Sequence, residues 1–167
     1  MRLFILLATL ILSACGFQLR GSYTLPFDTL HIALPTTSDL HAMLKRSIEA
    51  STRTRVVESP KAAQAILAIT GDTQTKNILS LDTSGRVREF QLVRTVTFRV
   101  HDPAGRDWLP TSQIAIRRDI SFSDSQVLAK ESEEALLWRD MQNDLAQQLL
   151  RRLSAARPPQ APEATPN

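Results

Sequence analysis

The residues able to carry chemistry in this chain are few. Its 167 residues contain one cysteine, Cys15, and three histidines, His31, His41 and His101. No histidine has a sequence neighbour placed as a nucleophile or general-base partner. No His/Cys/carboxylate spacing suits zinc, and the five glycines form no phosphate-cradling loop. Glu131, Glu133 and Glu134 fall near the start of a predicted helix, where the macrodipole favours acids without any acid–base role. The sequence therefore predicts no enzyme, no metal and no bound cofactor. What remains is a thiol that can be acylated and a set of arginines that can grip anions.

Cys15 closes the tetrapeptide Leu12-Ser13-Ala14-Cys15, behind an apolar run from Leu3 to Leu12 that follows Arg2. A basic start, an apolar stretch and small residues before a cut are the layout of an export signal. The run is well short of the roughly 20 apolar residues that a membrane-spanning helix needs. The tetrapeptide resembles the bacterial lipoprotein signal. That resemblance implies that residues 1–14 are a cleaved signal peptide and that Cys15 carries diacylglycerol on sulfur and an acyl group on nitrogen. Two or more such chains anchor a protein stably, each buried methylene contributing about 0.8 kcal/mol. Gly16 rather than an aspartate follows, which resembles the sorting signal for the outer membrane of Gram-negative bacteria.

Cleavage would leave 153 residues, with 19 basic and 17 acidic side chains and a formal charge of +2. That balance is too weak to argue for nucleic acid. The length suits one domain that buries roughly 68–70% of its unfolded surface. With the one cysteine committed to lipid, no disulfide is expected, and packing alone must hold the fold.

The elements that position these groups follow from periodicity. Leu30, Ile32 and Leu34 alternate with polar or small residues as in a half-buried strand, and Thr37 or Ser38 can cap a helix to about Ala50 that carries Leu40, Met43, Leu44 and Ile48 on one face. Val56-Val57 is a short extended piece. A strand starts at Ala65 and continues, more polar and bulged, to Leu81, before the turn Asp82-Thr83-Ser84-Gly85. The clearest strand runs from Arg86 to His101, with Phe90, Leu92, Val96, Phe98 and Val100 on one face. After a turn at Asp102-Pro103-Ala104-Gly105, a further strand spans about Gln113 to Phe122. A helix from about Ser125 to Leu153 carries the stripe Leu137, Trp138, Met141, Leu145, Leu149 and Leu153.

The expected class is α+β: a four-stranded, largely antiparallel sheet with two helices on one face, in the order β-α-β-β-β-α. Residues 15–155 read as one domain with an N-terminal lipid tether. Residues 156–167, rich in proline and alanine, read as a disordered tail.

Two arginines interrupt faces that are otherwise apolar. Arg94 is in step with Leu92 and Val96, and Arg118 with Ile116 and Ile120. A charge there is costly unless it is paired or at the edge of burial. One account is a snorkelling stem or an ion pair such as Arg118 with Glu89. The other gathers Arg86, Arg88, Arg94, Arg117 and Arg118 into a patch for phosphates, which the planar guanidinium fork binds bidentately.

Several short motifs also resemble a known family. Cys15-Gly16-Phe17-Gln18-Leu19-Arg20, Arg88-Glu89-Phe90-Gln91-Leu92 after a glycine turn, Leu128-Ala129-Lys130 entering the last helix, and the element order together resemble the LptE family of outer-membrane lipoproteins. The resemblance implies a lipid-anchored partner of the LptD β-barrel, seated in the barrel lumen from the periplasmic side, that binds lipopolysaccharide and helps deliver it to the cell surface. It implies lipopolysaccharide contacts at Lys130 and at the turn bearing Arg86 and Arg88, and the strand arginines Arg94, Arg117 and Arg118 would extend them. This chain has Thr83 and Ser84 ahead of Gly85, a departure from the basic turn of the family. The alternative reading is another outer-membrane lipoprotein adaptor, for barrel assembly or for an ABC transporter.

Overall fold

A computed structural model describes residues 23–159. The expected signal peptide (residues 1–14), Cys15, the expected tether as far as residue 22 and residues 160–167 lie outside the described residues.

The elements are β1 (Thr29–Ala33), α1 (Asp39–Ser51), β2 (Arg55–Val56), β3 (Ala65–Leu81), β4 (Val87–His101), β5 (Asp107–Ser121) and α2 (Val127–Ser154), with one-turn 3-10 segments at Pro60–Ala62 and Asp124–Gln126. The strands form one sheet in the order β2-β1-β3-β4-β5. The α+β class stands, but the expected four-stranded, largely antiparallel sheet is a five-stranded mixed one. β1 runs parallel to both β2 and β3, and only the β3-β4-β5 meander is antiparallel. The reason is two crossovers: α1 returns the chain to the end at which β1 began, so β2 lies parallel to β1, and residues 57–64 with their 3-10 turn return it again, so β3 does too.

In β4 burial alternates residue by residue, with Leu92, Arg94, Val96, Phe98 and Val100 buried. Ile114, Ile116 and Ile120 of β5 share that face through the cross-strand register. Leu40, Met43, Leu44 and Ile48 of α1 and Met141, Leu145, Leu149, Leu150 and Leu153 of α2 join the same contiguous core, so both helices cover one side of the sheet. β3 is buried at Ala65, Ile66 and Leu67 but largely exposed beyond Ile69, and its register shifts between Ile69 and Gly71. β1 pairs with β3 only as far as Ala68. The distal half of the meander therefore extends past the rest of the sheet.

Both meander turns are built alike. Asp82 and Asp102 each accept from the backbone N–H of the arginine four residues on, Arg86 at 3.0 Å and Arg106 at 2.8 Å, and each also takes that arginine's Nε–H, at 3.1 and 2.7 Å. Gly85 and Gly105 supply the positive φ, 78° and 86°, that other residues adopt at a cost. The backbone N–H of Arg86 is the main cause that holds the Asp82 carboxyl below its ordinary value. At Asp102 burial opposes ionisation, but the backbone and side-chain N–H groups of Arg106 outweigh it, and that carboxyl is also lowered. Groups with a depressed folded pKa stabilise above the unfolded value of about 3.9, and that contribution is lost as pH falls through the folded value. Asp82→Asn with Asp102→Asn keeps an acceptor oxygen and removes the charge. The double variant is expected to show a shallower loss of stability between pH 4 and pH 2 than the parent, read by urea melts. Parallel acid limbs would show that these two carboxylates carry none of it.

The stretch expected to be a disordered tail begins within the packed chain. Ala156 is buried in the core, and the Arg157 N–H donates to the Trp108 carbonyl at 3.2 Å.

Candidate functional site at the distal end of the meander

The β3–β4 turn, the end of β5 and the start of α2 meet at one end of the molecule. The Phe122 N–H donates to the Arg88 carbonyl at 2.8 Å, which ties the end of β5 to the start of β4. Two clefts open here with Phe122 in the wall of both. One, of about 310 Å³, is lined by Asp82, Arg86, Arg88, Ser123 and Ser125. The other, of about 280 Å³, is lined by Phe90, Ile120, Val127, Lys76 and Lys130 together with Glu131 and Glu134.

Four cations stand around these clefts. Arg86 is exposed, its Nε given to Asp82. The Arg88 side chain is exposed and makes no ion pair among the described residues. Lys130 donates to Ser121 Oγ at 2.8 Å and Glu133 at 2.9 Å. Lys76 pairs with Glu134 at 2.6 Å while its Nζ lies 4.3 Å from the centre of the Phe90 ring. The Arg86 pair is exposed and the two lysine pairs are partly solvated, with the Glu133 side chain 49% and the Lys76 side chain 36% exposed. Pairs open to water are weakly held, so an anionic ligand can exchange with them. The same end exposes large apolar side chains: Ile78 at 59%, Leu81 at 54% and Leu128 at 80%, with Leu79 beside them. A ligand that is both anionic and apolar would cover the cations and the exposed apolar groups in one contact.

The expected gathering of five arginines does not form. Arg94 is 4% exposed and gives Nε and Nη2 to Asp72 at 3.1 and 2.8 Å. Arg118 pairs with Asp144 of α2 rather than with Glu89, whose carboxylate accepts from Ser80 at 2.6 Å. Arg117, one residue out of phase with Arg118, lies on the opposite sheet face. Only Arg86, Arg88 and Lys130 of the sequence candidates come together at the distal end. Sequence reasoning did not single out Lys76, which lies in the polar middle of its strand between Gly71 and Asn77; the sequence signal that marks this place is the apolar run Ile78-Leu79-Ser80-Leu81 that follows it.

Glu133 and Glu134 lie beyond the first turn of α2, which holds no acid, and they serve Lys130 and Lys76 instead of the helix dipole. His31 and His101 donate from Nδ1 to the carbonyls of Val57 and Asp102, at 3.1 and 2.7 Å. Among the described residues no three His, Cys, Asp or Glu side chains are grouped to hold a metal ion, and no helix is long and apolar enough to cross a membrane.

A family model described as "LptE: Lipopolysaccharide-assembly" matches residues 27–153, which include every strand and nearly all of the last helix. The chain belongs to the LptE family. Proteins named LPS-assembly lipoprotein LptE from Pectobacterium atrosepticum and Photorhabdus laumondii are 31% and 29% identical to it, each over 88% of this chain and 80% and 81% of their own length. The solution structure of an uncharacterized lipoprotein B from Nitrosomonas europaea matches with a TM-score of 0.74 at 40% identity, covering 84% of this chain and 91% of that one. The crystal structure of a minor lipoprotein from Acinetobacter baumannii matches with a TM-score of 0.65 at 26% identity, over 80% of this chain and 99% of that one. The LptE match contains Arg86, Arg88 and Lys130, whereas Cys15 precedes it.

Proposed function

We propose that this chain is a lipid-anchored component of lipopolysaccharide assembly, held at the outer membrane through Cys15. Its distal end binds lipopolysaccharide, and the domain sits in the lumen of an LptD-like barrel that it supports. The observation that carries the ligand assignment is the meeting of Arg86, Arg88, Lys76 and Lys130 with exposed Ile78, Leu79, Leu81 and Leu128 at one end of the meander. Lipopolysaccharide offers phosphates and acyl chains in one molecule. The partner assignment rests on membership of the LptE family and on relatives named for LPS assembly.

Replacing Arg86, Arg88 and Lys130 together by alanine is expected to weaken lipopolysaccharide binding by on the order of tenfold to a hundredfold at low ionic strength, since each exposed charge-assisted contact contributes on the order of 1 kcal/mol or less. The difference should shrink as salt screens the charges. Circular dichroism and the melting temperature check that the variant is folded. A folded triple variant with unchanged lipid binding would remove the ligand assignment. Copurification in detergent tests the partner independently. Recovery of a large β-barrel with the wild-type chain supports the reading, and recovery of barrel-assembly or ABC-transport components instead would favour a different adaptor role.

A further inference from the structure

We infer that the groove between β4, β5 and the first turns of α2 seats one acyl chain of an anionic lipid whose phosphate lies at Arg86 and Arg88. The inference rests on the lipid-binding role proposed above and assigns the apolar half of that site. Its floor is apolar and aromatic: Phe90 stands edge-on to Phe122, with ring centres 5.4 Å apart at 80°, and Ile120 is buried beneath. Its outer wall is Val127, 40% exposed on the first turn of α2.

The gap has a structural cause. The buried positions of α2 begin only at Met141. Ahead of Leu137 the helix meets the sheet through polar bonds, Lys130 to Ser121 and Lys76 to Glu134, and Val127 and Leu128 stay 40% and 80% exposed. A helix made only to close the core would bury apolar side chains along its whole length.

Charge decides the class of occupant. Phe122 separates this groove from the cleft holding Arg86 and Arg88. At the groove itself Lys76 and Lys130 are matched by Glu131, Glu133 and Glu134, and in the cleft Asp82 takes Arg86. The groove is therefore near neutral, and among the described residues here the uncompensated charge is that of Arg88 in the adjoining cleft. A free phosphate would leave the groove empty, and an uncharged apolar segment would leave the two arginines unused. An amphiphile with an anionic head and a hydrocarbon chain uses both halves.

The test places a photoreactive benzophenone side chain in the full-length lipoprotein in cells, at Val127, at Arg88 or at Leu136, an exposed α2 residue outside the groove. Lipopolysaccharide is then sought in the crosslinked product. Capture at 127 and 88 but not at 136 is the expected result. Capture at 88 without capture at 127 overturns the acyl seat and leaves the wider reading intact, whereas capture at none of the three positions overturns both. Equal capture at 127 and 136 would mean indiscriminate apolar contact and also overturns the seat. On the purified lipoprotein, alkyl phosphates of increasing length should compete for capture at 127. Their potency should rise about fourfold per methylene, the factor that ~0.8 kcal/mol represents, until the groove is full. Potency independent of chain length overturns the proposal.

Discussion

Replacing Asp72 by alanine is expected to destabilise the domain by about 3 kcal/mol, because it strands a buried guanidinium without its counter-charge. Arg94 is 4% exposed on the core face of β4, between Leu92 and Val96, and both its bonds to Asp72 are lost in the variant. The Asp72 side chain keeps 30% of its own exposure, so water offsets part of the loss, and the figure lies at the lower end of what breaking a buried pair costs. Asp72→Asn keeps an acceptor and should fall between the two. Exchanging both partners, Arg94→Met with Asp72→Leu, removes the charge and its partner together and should be close to neutral. Urea denaturation at neutral pH measures all three. A loss below about 0.5 kcal/mol for Asp72→Ala, the range of ordinary surface substitutions, would show that Arg94 is solvated well enough without its partner. Ligand binding at the distal end should be unaffected by the neutral double exchange.

Cys15→Ala is expected to abolish covalent lipid on the protein. Metabolic labelling with a fatty acid should mark the parent chain and leave the variant unlabelled, and equal labelling of both would dispose of the anchor. Membrane retention needs a second change, since an uncut apolar segment from Leu3 to Leu12 would itself bind a bilayer. When residues 1–14 are exchanged for an ordinary secretory signal in the Cys15→Ala chain, the domain should be recovered in the soluble fraction. A single acyl chain holds a protein only reversibly, with a partition constant of about 10⁴ M⁻¹. Removal of all of them should leave no stable attachment unless a barrel partner supplies one.

The regular elements were legible because their burial is periodic. Alternation from Phe90 to Val100 placed β4 and its core face, and the spacing from Leu137 to Leu153 placed the packed part of α2. Arg94 was visible as a charge on that face, but its partner was not. Simple alternation from Leu67 and Ile69 would turn Asp72 outward, and the register shift before Gly71 brings it onto the core face. A shift of one residue reverses every later side chain, and nothing in Thr70-Gly71 except the glycine marks it. β2 has two residues, too few to show a period. β5 starts at Asp107 rather than near Gln113, and the obstacle was Pro110. An edge strand tolerates proline because the missing N–H faces solvent. At the distal site the cations near the turn were legible, whereas the groove was not, because it arises where the first turns of α2 meet the sheet through Lys130–Ser121 and Lys76–Glu134 instead of through apolar packing.

The order of elements along the chain has a kinetic side. The hairpins of β3, β4 and β5 close over turns of a few residues, and isolated hairpins form in about 1–10 µs. Their core face is covered mainly by α2, which is the last element of the described chain. A chain that emerges N-terminus first therefore presents a formed meander whose Leu92, Val96, Phe98 and Val100 face water until the final helix is free to dock. That interval, more than any weakness of the finished fold, is when the molecule is most open to sticking to other chains.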